Sequence, residues 1–169
     1  MSIKSSCLAL ALAGACSIAA AETTPVSFVR ITSTSGSAQH EPACLVARNA
    51  QELEELVQRH GAPAIPIPGA LIADVHNHMV IGIFLGDRPS PGYGMAVQSV
   101  EQVNEQLVVT YQEYIPDKAA VHAAALMQLF EIIQTPQSRL PVVCKGLPVI
   151  SIDEANRRSQ SKQKTSSAP

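Results

Sequence analysis

Between Val80 and Tyr114 the chain reads as three strands in succession, and no other feature limits its fold as tightly. Val80-Ile-Gly-Ile-Phe-Leu85 is an unbroken apolar run of strand length, suited to a strand buried on both faces. Gly86 to Gly94 (Gly-Asp-Arg-Pro-Ser-Pro-Gly-Tyr-Gly) is a turn region. Met95–Val103 and Gln106–Tyr114 then alternate around Asn104-Glu105, the pattern of a hairpin. In the second of these, Leu107, Val109 and Tyr111 share one face, and Val108, Thr110 and Gln112 share the other.

The flanking segments add shorter elements. Val26–Ile31 and Ala43–Ala47 have strand character, separated by a Ser/Thr/Gly-rich loop. Asn49-Ala-Gln-Glu52 is a capping box, and Leu53, Leu56 and Val57 give the helix that follows one buried stripe. Gly61 and Pro63 end that helix. Ala64–Pro68 must be extended, because alternate prolines forbid a helix. Ala123–Ile133 fits a helix by its Ala, Leu and Met content and a strand by its Leu129-Phe-Glu-Ile-Ile133 end. Leu140–Cys144 and Val149–Ile152 are short, proline-edged strands. From Asp153 the chain turns polar, which predicts a disordered tail over 153–169. The predicted fold is mainly β (α+β): one domain over 22–152, a small antiparallel β-sandwich or barrel-like body with one amphipathic helix near 50–60.

The first 21 residues read as a cleavable export signal. Lys4 gives the positive start, Leu8–Ala15 the apolar stretch, and Ala19-Ala20-Ala21 the small residues before cleavage at Glu22. The apolar stretch falls short of the ~20 residues that span a bilayer, so an integral anchor is not expected. A lipid at Cys16 would call for Leu three residues earlier, where Ala13 stands. The expected location is periplasmic or secreted. Cys44 and Cys144 are then the two cysteines left, and an even pair in an oxidising compartment is most simply a disulfide. Over Glu22–Ile152 there are 12 acidic and 7 basic residues, a net of −5, with no basic patch, which argues against nucleic acid as a partner.

The segment from Val80 to Val97, with Gly86, Pro89, Gly92 and Tyr93 in register, resembles the C-terminal domain of the PrcB family, named for a subunit of a secreted protease complex. The helix and Asp74-Val75 upstream, Tyr111–Pro116 downstream and Thr135-Pro136 extend the resemblance over roughly Glu52–Ile152. It departs at Ser90-Pro91, where Thr-Gly is usual. The resemblance implies a non-enzymatic domain without cofactors that binds another protein, a peptidase in that setting. The residues that would display such a surface are Arg88, Pro89, Gly92 and Tyr93, a loop stiffened by proline and glycine. A chagasin-like peptidase inhibitor is the alternative of the same class, with a similar loop but without the Arg-Pro-Trp partner loop; Trp is absent from the chain.

Chemistry of other kinds finds little footing. If Asp74-Val-His76-Asn-His78 is a strand, its alternate side chains face one way and offer metal-ligand types, though a row on one strand is poorly shaped for tetrahedral coordination. No metal is therefore assigned, and a metal-binding protein using Asp74, His76 and His78 stays an alternative. Ser90 lies between prolines rather than in a nucleophile elbow. Glu113 and Glu131 are carboxylates without a spacing that pairs them.

Overall fold

The computed structural model describes residues 22–61, 74–117 and 124–166. The export signal, the Ala64–Pro68 segment and most of the Ala-rich stretch 119–125 lie outside the described residues.

Among the described residues nine strands form two facing sheets. In chain order they are β1 (Thr23–Pro25), β2 (Val29–Ser35), β3 (Ala43–Ala47), β4 (His78–Arg88), β5 (Gly94–Val103), β6 (Gln106–Ile115), β7 (Met127–Pro136), β8 (Val142–Gly146) and β9 (Ile150–Ser151). The front sheet has the order β1-β5-β6-β8, with β9 also on β6, and the back sheet the order β2-β7-β4-β3. Helix α1 (Ala50–His60) covers the outer face of the back sheet, and α2 (Ile152–Ser166) follows β9. The two sheets stay open and do not close into a barrel.

Strand β4 explains the layering. Met79, Ile81 and Ile83 join Val97, Val100, Leu107, Val109 and Ile133 between the sheets, while Val80 and Phe84 join Leu53, Leu56, Phe130 and Ile132 beneath α1. A strand with a core on each face carries apolar residues at successive positions, as the sequence implied. Each such side chain contributes about 1.5–3 kcal/mol by leaving water. Beneath α1 the ring of His60 packs 4.3 Å from that of Phe130.

The helix start forms as a capping box with a shifted return bond. Asn49 Oδ1 accepts from the Glu52 amide at 3.0 Å, and the Glu52 carboxylate accepts from the Arg48 amide at 2.7 Å. Gly61 closes the helix in the left-handed region, its N–H on the Val57 carbonyl. Residues 127–136 resolve into a strand, since a β-branched and aromatic run with cores on both sides fits a central strand better than a helix. Asn104 takes φ 53° in the two-residue hairpin between β5 and β6.

Two expectations need correction. The sandwich is not wholly antiparallel: β8 and β9 run parallel to β6. A short apolar strand between prolines carries no sign of its direction, which the crossing from the back sheet to the front sheet decides. The segment after Ile152 is not a disordered tail, because Ile152–Ser166 is helical. The start of α2 is another capping sequence, Ser151-Ile-Asp-Glu154, with Ser151 Oγ accepting from the Glu154 amide at 3.2 Å. Asp74 to Asn77 form a turn, closed by the His78 amide on the Asp74 carbonyl, so the strand on which the metal-binding alternative depended begins only at His78.

Cys44 on β3 and Cys144 on β8 form a disulfide with Cα atoms 6.0 Å apart. It ties an edge of the back sheet to an edge of the front sheet.

Candidate functional site

At one corner of the sandwich the sheets part and leave a groove of about 230 Å³. Pro91 and Tyr93 of the turn form its lip, Met95 one wall, and Met127, Leu129 and Phe130 of β7 the other. Two of the chain's four methionines face each other here. Unbranched thioether chains are flexible and polarizable and can adapt to differently shaped neighbours.

The turn itself is held by its base. Gly86 has φ +74°, and a Cβ there would stand 2.4 Å from the His40 carbonyl oxygen, so both the conformation and the space require glycine. The Asp87 amide donates to that same carbonyl at 3.0 Å. Asp87 Oδ1 accepts from Gln128 at 2.7 Å and lies 2.9 Å from His40 Nδ1. The Gln128 hydrogen bond, then that of His40, holds the Asp87 carboxyl below the usual carboxylate range. Arg88 grips Glu113 of β6 through Nε at 2.6 Å and Nη2 at 3.0 Å, a two-pronged contact. Its Nη1 donates to the Leu85 and Asp87 carbonyls. The Glu113 hydrogen bond raises the guanidinium's already high pKa.

Arg88 is therefore the strut beneath the turn, with its donors turned inward. Pro89 is exposed, Gly92 is buried and Tyr93 is half-buried along the groove. Gly92 turns the chain without a positive φ; among the described glycines that conformation falls to Gly36, Gly61 and Gly86. Of the four turn residues singled out in the sequence, Tyr93 lines the groove, Pro89 and Gly92 do not, and Arg88 forms the foundation of the turn.

Beside the groove β5 has an open edge. β1 pairs only with Glu101–Val103, and among the described residues no strand lies outside Gly94–Val97. A bulge between Val97 and Ser99 bends β5 here. The Val97 amide donates to Glu131 Oε2 at 2.9 Å, and its carbonyl accepts from Arg30 Nη2 at 3.4 Å. Arg30 Nε also holds the other oxygen of Glu131. Two side chains thus occupy the edge at Val97. By strand alternation the backbone groups of Met95, two residues earlier, face the same way, onto the groove.

Glu131, buried completely in the middle of β7, was weighed in the sequence only beside Glu113, and its structural role was not legible there. An acid inside Leu129-Phe-Glu-Ile-Ile133 signals a required partner, but only the fold brings Arg30 and the Val97 bulge to it. Glu113 and Glu131 do not act as a carboxylate pair, since each is taken by its own arginine. Asp74 and His78 pair with each other at 2.8 Å while His76 is exposed in the turn, so the row of three ligands does not form. Among the described residues no three His, Cys, Asp or Glu are grouped to hold a metal ion. No helix among the described residues is long and apolar enough to cross a membrane.

Residues 79–136, from β4 through the turn and the hairpin to the end of β7, match the family model described as PrcB C-terminal. The match is narrower than the 52–152 span of the resemblance, and it contains the turn, the methionine walls and Glu131. No curated protein and no solved structure matches the chain.

Proposed function

We propose that this domain is an exported, non-enzymatic protein-binding module, an accessory subunit that stabilises or positions a peptidase outside the cytoplasm. The observation that carries the reading is the Met-walled groove between the Pro91 and Tyr93 lip and the open edge of β5. Such a corner offers adaptable apolar contacts and unpaired strand backbone together, the two elements with which sheets take up an extended segment of another protein. The PrcB C-terminal match supports an accessory role, because its residues coincide with those that build the groove. The Cys44–Cys144 disulfide supports an oxidising compartment.

The test is affinity capture from the native envelope fraction with wild type, Met127→Glu and Tyr93→Ala. Wild type should retain a peptidase in stoichiometric amount, and both variants should lose most of it. Equal capture by all three, or capture of no peptidase, would overturn the proposal.

A further inference from the structure

A second cavity lies on the opposite side of the front sheet. It measures about 260 Å³ and is roofed by α2. Its floor is Gln98 of β5 with Gln112 and Tyr114 of β6, its apolar side is Leu147 and Ile150, and Arg158 of α2 faces the floor.

The hydrogen bonds already made decide what this cleft still offers. Gln112 is only 6% exposed, and its amide nitrogen donates to the Glu113 and Pro148 carbonyls, both at 2.8 Å. Both N–H bonds are spent, so the group left for the cleft is the amide oxygen. The Gln98 nitrogen is likewise committed, to the Ala96 carbonyl and the Tyr114 hydroxyl, each at 3.3 Å. It too leaves an oxygen. Tyr114, having accepted, keeps its own proton to donate. Arg158 is held by Glu154 through one terminal nitrogen, which leaves donors on the rest of the fork and cancels its charge.

We infer that this cleft is a binding site for a small neutral polyol, of the size and hydroxyl pattern of one sugar ring. Two amide oxygens beside a phenol and a guanidinium match neighbouring hydroxyls, each of which donates and accepts. Leu147 and Ile150 provide the surface for the carbon face of the ring. The ion pair of Arg158 with Glu154 makes the set neutral, which disfavours an anion. A peptide strand is disfavoured as well, because β6 is already paired with β5 on one side and on the other with β8 at Leu107–Tyr111 and β9 at Tyr114–Ile115, which leaves no run of open backbone long enough to take one. The volume is slightly under the range of drug-sized pockets, as one ring requires. Since α2 supplies one wall, an occupant bridges helix and sheet. The site is separate from the protein-binding groove and does not depend on it.

The probes are glucose and N-acetylglucosamine, titrated into the ¹⁵N-labelled exported protein, with sulfate and a short alanine peptide alongside. The sugars should shift the amides of Gln98, Gln112, Tyr114 and residues 155–159 saturably, with a Kd of about 1–10 mM. Hydrogen exchange along α2 should slow on saturation. Tyr114→Phe, which keeps the ring and the fold, should weaken binding about fivefold, a loss of roughly one hydrogen bond, and Gln112→Leu should abolish it. No saturable shift with either sugar up to about 100 mM, tenfold above the weakest expected Kd, would overturn the site, and so would equal response to sulfate or to the peptide. Unchanged affinity in Tyr114→Phe would overturn it too.

Discussion

Glu131 and Gly86 are the residues on which the local structure turns. The carboxylate of Glu131 is inaccessible, yet it accepts from Arg30 and from the Val97 amide, so removing it strands a donor on each side. Glu131→Ala should cost about 3 kcal/mol in urea unfolding, the lower end for a broken buried pair. Arg30→Ala should cost at least as much, because it leaves the completely buried Glu131 carboxylate without its cation, whereas Arg30, 47% exposed, can turn to water when Glu131 is gone. Gly86→Ala meets both a positive φ and the His40 carbonyl, and should cost about 2–3 kcal/mol. Gly94→Ala is the contrast: its Cβ would meet nothing closer than 3.7 Å, and stability should stay within about 0.5 kcal/mol. Equal losses at the two glycines would show that the turn is not anchored at Gly86. The carboxyls of Asp74 and Asp87 are held below their usual value of 3.8, by His78 and by Gln128 with His40. A lowered folded pKa gives stability that is complete above the unfolded value near 3.8 and is lost as pH falls through the folded value. The Asp87→Asn variant should therefore lose less stability than wild type between pH 5 and acid, which unfolding curves at stepped pH measure.

At the scale of elements, the readable parts of the sequence were those whose pattern is local. The two-faced run Val80–Leu85, the Asn49 cap and the alternation of Gln106–Tyr114 each determine a strand or helix from neighbouring residues alone. Elements decided by distant contacts were harder. Residues 127–136 become a strand because β2 and β4 flank them, and the direction of β8 follows from where the chain crosses between sheets. The tail was misjudged because its composition outweighed its cap, Ser151 with Glu154, two residues in a long polar run. The groove stayed illegible for the same reason: Met95 and Met127 are 32 positions apart, and only the parting of the sheets makes them face. The turn around Pro89, Gly92 and Tyr93 was legible as a turn, while the inward set of Arg88 was not, because its partner Glu113 lies on β6 of the facing sheet. Ser151→Ala should destabilise α2 selectively, by about 1 kcal/mol, seen as faster amide exchange in 152–158 with the sandwich amides unchanged. Acceleration throughout the domain would mean that α2 and the sheets unfold as one unit.

For the whole molecule, the disulfide is the long-range tie. It closes a loop of 100 residues between edges of opposite sheets, so it constrains the unfolded chain strongly. Reduction should lower stability by about 4 kcal/mol, with β8 the first strand to lose protection. A loss under about 1 kcal/mol would mean that the two sheets hold together by their shared core alone. That core, β4 against β5, β6 and β7, is also what keeps the parted corner rigid enough to serve as a surface.

The claim that this corner binds another protein is tested most directly by photo-crosslinking in intact cells, with a photoreactive residue at Met127 in the groove and a control at Glu101 on the far end of β5. The account predicts one discrete adduct from position 127, identified by mass as a peptidase, and none from position 101. No adduct from 127, or the same set of adducts from both positions, would contradict it.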